Sequence, residues 1–272
     1  MTDSPPYKSF DPAPKTPELT LALEQILGAL GKALETVVAD YGRTEIFSLE
    51  NISSGELARL VSLLGEGEIS GKIEPAPDDR EGTIHIRESV YPGIWLIGHR
   101  PPGSEGVVLS SIEIGRAPRI LVRNPEPAPS LPLNGADLTD QEYVRIKPGL
   151  MNAPSLLEET VYHLGTYLPD RKSHRIFLNK LPLSEGDAEW IDKVCSGGHI
   201  SLVSKGYGDC RILSTQVPGL WRVLYKNPEG VPLLDALCVT ELPDEIAATP
   251  EDLVQSKKDY GEFLTWVRRE SP

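Results

Sequence analysis

Three stretches of the chain carry apolar residues at helical spacing. The first runs over residues 19–38, where apolar side chains recur every three or four positions. Thr16 and Pro17 precede it, and this pair is typical of an N-cap followed by proline in the first helical turn. The same spacing predicts a second helix over 153–168 and a last helix that begins after Thr249. Each helix is expected to bury one apolar stripe.

An internal repeat relates the two halves of the chain. Residues 46–70 can be laid over residues 177–201, so that a helix lies between two short apolar segments in each copy. In both copies a serine lies three residues before an acidic residue, which is the pattern of a capping box, and a glycine ends the helix. These residues are Ser53, Glu56 and Gly65 in the first copy and Ser184, Asp187 and Gly197 in the second.

The repeat continues downstream, where residues 92–95 (PGIW) match residues 218–221 (PGLW). We therefore predict an α+β fold of two similar α-β-α-β-β-β(-β) units, with mostly antiparallel sheets and a C-terminal helix. Two unrelated segments that use the same capping and turn residues would give a similar pattern. Trp95 and Trp221 are expected to anchor the core of each copy or, alternatively, to contribute to an interface.

Proline content divides the chain. Residues 1–16 contain four prolines and no apolar period, and are expected to form a disordered arm. Residues 124–139 are also proline-rich, which favours an extended, semi-rigid linker. The predicted domains are therefore an N-terminal α+β repeat at 17–123 and a C-terminal α+β repeat at 140–272 that ends in the last helix.

Composition and charge narrow the classes of function. With 272 residues, of which 39% are apolar, the chain is long enough for nearly two domains with their own cores. Its formal charge of -13 argues against nucleic-acid binding, which needs a basic surface, and permits attraction to a basic partner. We find no run apolar enough for a membrane span and no export signal, and so expect a cytoplasmic protein without membrane insertion.

The glycine-rich segment 65–71 resembles a phosphate-binding loop only superficially. A dinucleotide-binding loop follows a strand and opens a helix, whereas these glycines close a helix and enter a strand. Glu66 and Glu68 would also repel phosphate. These two carboxylates have two interpretations, a catalytic pair or a solvated turn. The local sequence contains nothing that would separate their pKa values, which favours the turn.

Cysteines and histidines give no sign of a catalytic or metal site. The three cysteines form no CxxC pair, and none of the five histidines lies in an HExxH or HxxEH pair. Cys195 takes the place of Leu64 in the repeat and is expected in the core, whereas Cys238 alternates with Leu237 along a strand and is expected to be exposed. We therefore expect no enzyme activity, no cofactor and no metal.

Several short motifs occur in a fixed order and spacing. They are LLGEGEIS at 63–70, GLMN at 149–152, LPLSE at 181–185, GYG at 206–208, PGLW at 218–221, PLL at 232–234 and AATPEDLV at 247–254. Together they resemble the HupH/HyaF family of hydrogenase expression/formation proteins. That family has no agreed catalytic or metal-binding residue to transfer to this chain.

The resemblance implies a function in the assembly of oxygen-exposed uptake NiFe hydrogenases. Members of the HupH/HyaF family are regarded as non-enzymatic maturation factors in the cytoplasm. It further implies a chaperone for the precursor of the small, iron–sulfur subunit, which carries a twin-arginine export signal and must be held until its clusters are built. Two alternatives remain open. One is an assembly scaffold that contacts only other hydrogenase accessory proteins. The other is an enzyme, or a metal or iron–sulfur carrier, that uses Cys210, Cys238 and His199.

An acidic surface would suit the basic residues of a twin-arginine signal. Five acidic residues and no basic residue lie in 241–252, although a solvated loop with helix N-terminal acids would have the same composition. Tyr207 lies between two glycines, which is typical of a turn or of an aromatic side chain held for a partner. The residues predicted to contact the partner are Tyr207, Trp221, Glu66, Glu68, Glu241, Asp244 and Glu245.

Overall fold

A computed structural model of the chain describes residues 20–75, 82–122, 149–168, 172–206, 209–227 and 229–270. The predicted arm at 1–16 and the predicted linker at 124–139 lie outside the described residues. The chain divides into two compact units. Unit 1 takes in the described residues of 1–70, 77–119 and 247–272, and unit 2 takes in those of 71–76 and 120–246.

Five α-helices and ten β-strands occur in the described part of the chain, which confirms the α+β class. In chain order they are α1 (Leu21–Ala39), β1 (Glu45–Ser48), α2 (Ser54–Leu64), β2 (Ile69–Ile73), β3 (Thr83–Glu88), β4 (Ile94–Arg100), β5 (Val108–Ile114), α3 (Ala153–Thr166), β6 (His174–Phe177), α4 (Glu185–Val194), β7 (Gly197–Ser204), β8 (Asp209–Thr215), β9 (Leu220–Lys226), β10 (Pro232–Val239) and α5 (Pro250–Glu270). Within the ranges that the structure describes, no helix combines the length and apolar character that a membrane crossing needs.

The antiparallel strand pairing follows a similar order in both units, and unit 1 also contains α5. In unit 1, β3 pairs with β4, β4 with β5 and β5 with β1, each antiparallel. In unit 2, β7 pairs with β8, β8 with β9, β9 with β10 and β10 with β6, again antiparallel. Residues 71–75 lie beside β7, where the Glu74 N–H donates to the His199 carbonyl at 2.9 Å.

The agreement between the units extends to single residues. Trp95 on β4 lies opposite Glu113 on β5, and Trp221 on β9 lies opposite Cys238 on β10. Trp95 and Trp221 are 0% and 4% exposed, as expected of core anchors. Both predicted capping boxes are also present, at the start of α2 and at the start of α4. These correspondences support the predicted duplication, which itself stays a prediction.

Helix α1 begins later than predicted. Its N-cap is Thr20, whose hydroxyl accepts from the Leu23 N–H at 3.3 Å, and the cap predicted at Thr16 lies outside the described residues. The Thr20 hydroxyl also donates to Glu56 Oε1 of α2 at 2.8 Å. Because this second contact is tertiary, the local sequence pattern does not report it.

The C-terminal helix α5 packs in unit 1. Its buried residues Leu253, Tyr260 and Val267 belong to the same core as the apolar stripe of α1. The Tyr260 hydroxyl donates to the Leu27 carbonyl at 3.0 Å. The sequence prediction grouped this helix with the C-terminal repeat at 140–272. The structure differs because an apolar stripe shows that a helix packs on a core, but not which core it is.

The core of unit 2 is formed by α3, α4 and the strands that they cover. Leu157 of α3 and Ile191 of α4 are buried with Ile176 and Leu237 of the sheet. Helix α3 confirms the helix predicted over 153–168. It ends at Thr166, and Tyr167 is its C-cap. The two helices and the sheet therefore hold in place the side chains of unit 2 that are described below.

Candidate functional site

A tight turn after α2 brings two of the predicted partner residues to the surface of unit 1. The helix ends at Gly65, which has a φ of 65° that glycine adopts at low cost. The Gly67 N–H donates to the Glu88 carbonyl at 2.8 Å. A Cβ at position 67 would lie 2.2 Å from a carbonyl oxygen of the neighbouring turn, so only glycine fits there. Glu66 and Glu68, on either side of it, are both exposed.

The turn between β3 and β4 extends this surface. Gly93 in this turn has a φ of 86°, and its N–H donates to Glu88 Oε1 at 3.2 Å. The Val90 N–H donates to the Leu64 carbonyl at 3.0 Å, which joins the turn to the end of α2. The Val90 side chain lies against Gly65 and is 52% exposed. An apolar side chain therefore lies next to the two exposed carboxylates.

Asp252, at the start of α5, adds a further carboxylate to this surface. The Thr249 N–H and hydroxyl donate to Asp252 Oδ2 at 2.9 and 2.7 Å, and the Asp252 N–H donates to Thr249 Oγ1 at 3.1 Å. The next residue, Leu253, packs against Gly93, where a Cβ would lie 2.3 Å from Leu253 Cδ2. The helix cap therefore places Asp252 beside the β3–β4 turn.

Glu88 carries a buried carboxyl group within this acidic surface, and only 6% of the residue is exposed. Burial raises the pKa of Glu88 to about 7, against the opposing effect of the Gly93 N–H. The negative charges of Glu68 and Asp252 raise it further. Negative charge is therefore concentrated at this point of unit 1. We call this group the acidic turn, consisting of Glu66, Glu68, Glu88, Val90 and Asp252.

The other predicted acidic residues lie around an arginine in unit 2. Arg175 on β6 donates to Glu245 at 2.6 and 3.0 Å and to Asp244 at 3.1 Å. The hydrogen bonds to Glu245 raise the pKa of Arg175, although burial opposes them. The Glu241 N–H donates to the Tyr167 hydroxyl at 3.1 Å. Arg175 therefore offsets the charges of Asp244 and Glu245, in contrast to the acidic turn, where carboxylates accumulate.

Of the two aromatic residues predicted to contact a partner, Trp221 lies within the described residues and Tyr207 lies outside them. Trp221 is 4% exposed, so its ring belongs to the interior of unit 2. A partner would therefore meet the residues around Trp221 before it met the ring itself. Participation of either aromatic residue in partner binding stays a prediction.

The predicted exposure of Cys238 is wrong, because this residue is 0% exposed. Cys238 does lie on the face opposite Leu237, where its directly opposite neighbours on the two adjacent strands are Arg175 and Trp221. Cys195 is 2% exposed and belongs to the core, as predicted. Burial raises the pKa of both thiols to about 12 and the pKa of Cys210 to about 11.

These thiols are expected to resist modification in the folded protein. Because the thiolate is the reactive form and burial disfavours it, Cys195 and Cys238 should react with a disulfide-exchange reagent only after denaturation, even at about pH 8. Cys210, which is partly exposed, serves as the internal comparison. Mass spectrometry of labelled peptides measures each site. Rapid labelling of native Cys238 would contradict its burial.

Sequence reasoning missed a cluster in unit 2 formed by Glu159, His163 and His174. Their possible ligand atoms all lie within 4.8 Å of one another. Glu159 and His163 lie one turn apart on α3, and His174 opens β6. The sequence signal is a glutamate four residues before a histidine within a predicted helix. Neither the HExxH nor the HxxEH motif contains that spacing.

Comparison with known proteins gives consistent matches. Residues 150–267 match the model of the HupH hydrogenase expression protein, C-terminal conserved region. The hydrogenase expression/formation protein HoxQ of Cupriavidus necator is 35% identical over 208 residues, which cover 76% of this chain and 68% of that protein. The hydrogenase-1 operon protein HyaF of Escherichia coli is 28% identical over 276 residues, which cover 100% of this chain and 89% of that protein. The hydrogenase expression/formation protein HupH of Rhodobacter capsulatus is 29% identical over 259 residues, which cover 95% and 84%.

These matches define a class of proteins that are named for the expression and formation of hydrogenases. The chain belongs to the HupH/HyaF family of hydrogenase expression/formation proteins, as the order and spacing of its motifs predicted.

Proposed function

We propose that this protein is a non-enzymatic accessory factor in the maturation of a membrane-bound uptake NiFe hydrogenase. In this proposal it acts in the cytoplasm as a chaperone that holds the precursor of the small, iron–sulfur subunit before twin-arginine export. Membership of the family supports the maturation role, because the matching relatives are named as hydrogenase expression/formation proteins. The choice of the precursor as the partner rests on charge.

The acidic turn is the observation that carries this choice. A twin-arginine signal has a basic region followed by an apolar region. Glu66 and Glu68 are exposed carboxylates, and Val90 beside them is an exposed apolar side chain. Burial is the main cause of the raised pKa of Glu88, and the negative charges of Glu68 and Asp252 at the same place add to it. A basic segment that binds here would gain favourable charge contacts, while its apolar residues would meet Val90.

The acidic residues of unit 2 are a weaker candidate for the same contact. Arg175 already pairs with Asp244 and Glu245, so a basic segment would have to compete with an arginine that is held in place. We therefore assign the principal charge contact to Glu66 and Glu68. Glu241, Asp244 and Glu245 remain secondary candidates.

Charge neutralisation of the acidic turn tests the proposal. We expect Glu66→Gln with Glu68→Gln to weaken capture of the small-subunit precursor roughly three- to thirtyfold, because two exposed charge pairs contribute about 0.3–1 kcal/mol each. Removing the signal peptide from the precursor should cause a similar loss, and raising the salt concentration should reduce the difference. Pull-down with quantified bound precursor measures all three effects.

Two control variants make the comparison specific. Glu35→Gln with Glu105→Gln removes the same charge from exposed positions elsewhere in unit 1 and should bind like the parent. Asp244→Asn tests the second acidic group and leaves the pair between Arg175 and Glu245 in place. The proposed contact is refuted if neither the substitutions in the acidic turn nor removal of the signal peptide changes precursor binding. Capture of other hydrogenase accessory proteins without the precursor would favour the scaffold function instead.

A further inference from the structure

The cluster of Glu159, His163 and His174 has an arrangement suited to metal binding. The imidazole rings of His163 and His174 are stacked, with centroids 3.4 Å apart and an interplanar angle of 11°. Nε2 of His174 lies 2.7 Å from Oε1 of Glu159. The fold therefore brings two imidazoles and one carboxylate together from a helix and a strand of unit 2.

We propose that Glu159, His163 and His174 together bind one divalent first-row transition-metal ion of the Zn²⁺ class. Metal–nitrogen and metal–oxygen bonds of about 2.0–2.2 Å place neighbouring ligands of a tetrahedral ion roughly 3.3 Å apart. The three ligand atoms lie within 4.8 Å of one another. The two stacked rings must rotate on binding, because imidazole lone pairs lie in the plane of the ring and have to point to the same ion.

The donor set selects the class of ion. Two imidazole nitrogens and one carboxylate oxygen suit Zn²⁺ and its first-row neighbours, whereas Mg²⁺ and Ca²⁺ prefer sites made of oxygen ligands alone. Three protein ligands leave one position of a tetrahedral ion for water or for a ligand from another molecule. The cluster is open to such a ligand, because Glu159 is exposed and both histidines are only half-buried.

The helix that carries two of the ligands is anchored to the core. The ring of Tyr162 meets the ring of His163 edge-on, with centroids 5.2 Å apart and an interplanar angle of 84°. Glu159 and His163 are fixed on one face of α3, whose buried residues Ala153 and Leu157 anchor it to the core. A metal ion would therefore bind to side chains that are already close together, which reduces the ordering cost of binding.

Calorimetric titration of the purified, chelator-treated full chain with Zn²⁺ tests the proposal. We expect one ion to bind per chain and Mg²⁺ to produce no comparable signal. His163→Ala and His174→Ala should each weaken Zn²⁺ binding at least tenfold, and Glu159→Gln should weaken it less. Titration with Co²⁺ should give the visible absorption of a four-coordinate site in the parent and lose it in the histidine variants. The test needs no hydrogenase component, so its result does not depend on the proposed function.

Matched controls separate this site from adventitious binding. His199→Ala removes an exposed histidine of the same unit, and Glu158→Gln removes the adjacent exposed carboxylate of α3; both should bind Zn²⁺ like the parent. If a histidine variant fails to fold, Glu159→Gln retains the test, because its side chain is exposed. The proposal is wrong if the parent binds no Zn²⁺, or if the three cluster variants bind it as tightly as the two controls.

Discussion

Replacing Asp187 by alanine is expected to lower the free energy of unfolding of unit 2 by about 2–4 kcal/mol, because buried backbone donors lose their acceptor. Asp187 is 0% exposed. Its carboxylate accepts hydrogen bonds from the backbone N–H groups of Ser184, Met151, Asn152 and Ala153, at 3.0, 2.8, 3.1 and 2.9 Å. Alanine would leave buried donors without their acceptor and would separate the start of α3 from the start of α4.

The pH dependence of unfolding gives a second measure of the same carboxylate. Burial alone would raise the pKa of Asp187, but the four backbone N–H donors outweigh it and lower the pKa to about 2. In the unfolded chain the ordinary value of 3.8 applies. The stabilisation, about 2 kcal/mol, is therefore complete above about pH 4 and is lost as the pH falls towards 2. Asp187→Asn should lack this loss.

Urea unfolding followed by tryptophan fluorescence measures both effects, because Trp190 on α4 is buried in the same core. Asp187→Asn keeps the size of the side chain and one acceptor oxygen, so its destabilisation should lie between those of the parent and Asp187→Ala. Glu185→Ala removes an exposed acidic residue from the first turn of the same helix and should change the stability by less than about 0.5 kcal/mol. A loss below about 1 kcal/mol in Asp187→Ala would show that solvent or other groups satisfy the donors.

Asp187 has two roles, and the sequence predicts only the first of them, the cap of α4. Ser184 and Asp187 are three residues apart, so their capping box is local and the sequence pattern reveals it. The contact with the start of α3 joins distant parts of the chain, and no local pattern reports it. Glu56 has the same second role in unit 1, where it accepts from the Thr20 hydroxyl at the start of α1. In both units the acidic residue of the capping box therefore also joins its helix to the start of the preceding helix.

In the candidate sites, too, the sequence predicts the local features but not the tertiary contacts. Glu66 and Glu68 are predicted because a helix that ends in glycine exposes the residues of its turn. Glu88 and Asp252 come from β3 and α5, and only the tertiary structure brings their charges near Glu68. The exposure of Cys238 was predicted wrongly for the same reason. Alternation along a strand does not show which side chains the neighbouring strands place beside it.

Glu88→Gln is expected to stabilise unit 1, and only above the pH range in which the unfolded carboxyl group titrates. The folded protein has a Glu88 pKa of about 7, against 4.5 for the ordinary carboxyl group. Between these values the folded state keeps a proton that the unfolded state has released, so the stability of the parent falls as the pH rises through this window. Glutamine removes this cost, which amounts to at most about 3 kcal/mol above pH 7.

Glutamine suits this test because its carbonyl oxygen can still accept from the Gly93 N–H, as Glu88 Oε1 does at 3.2 Å. Thermal unfolding at about pH 5 and about pH 8 should show a small difference between parent and variant at the lower pH and a clear gain for the variant at the higher pH. Glu68→Gln removes only a neighbouring charge and should give a smaller gain in the same direction. If the stabilities of the parent and of Glu88→Gln change in parallel between the two pH values, the carboxyl group is not held in its neutral form.

A gain from Glu88→Gln would also bear on the function of the acidic turn. A carboxylate that lowers the stability of its own fold above pH 7 is typical of sites where charge is retained for binding or chemistry. The stabilised variant should therefore capture the small-subunit precursor less well than the parent at about pH 8, in the same assay as Glu66→Gln with Glu68→Gln. Unchanged capture together with increased stability would limit the binding surface to the exposed carboxylates and leave Glu88 without a part in it.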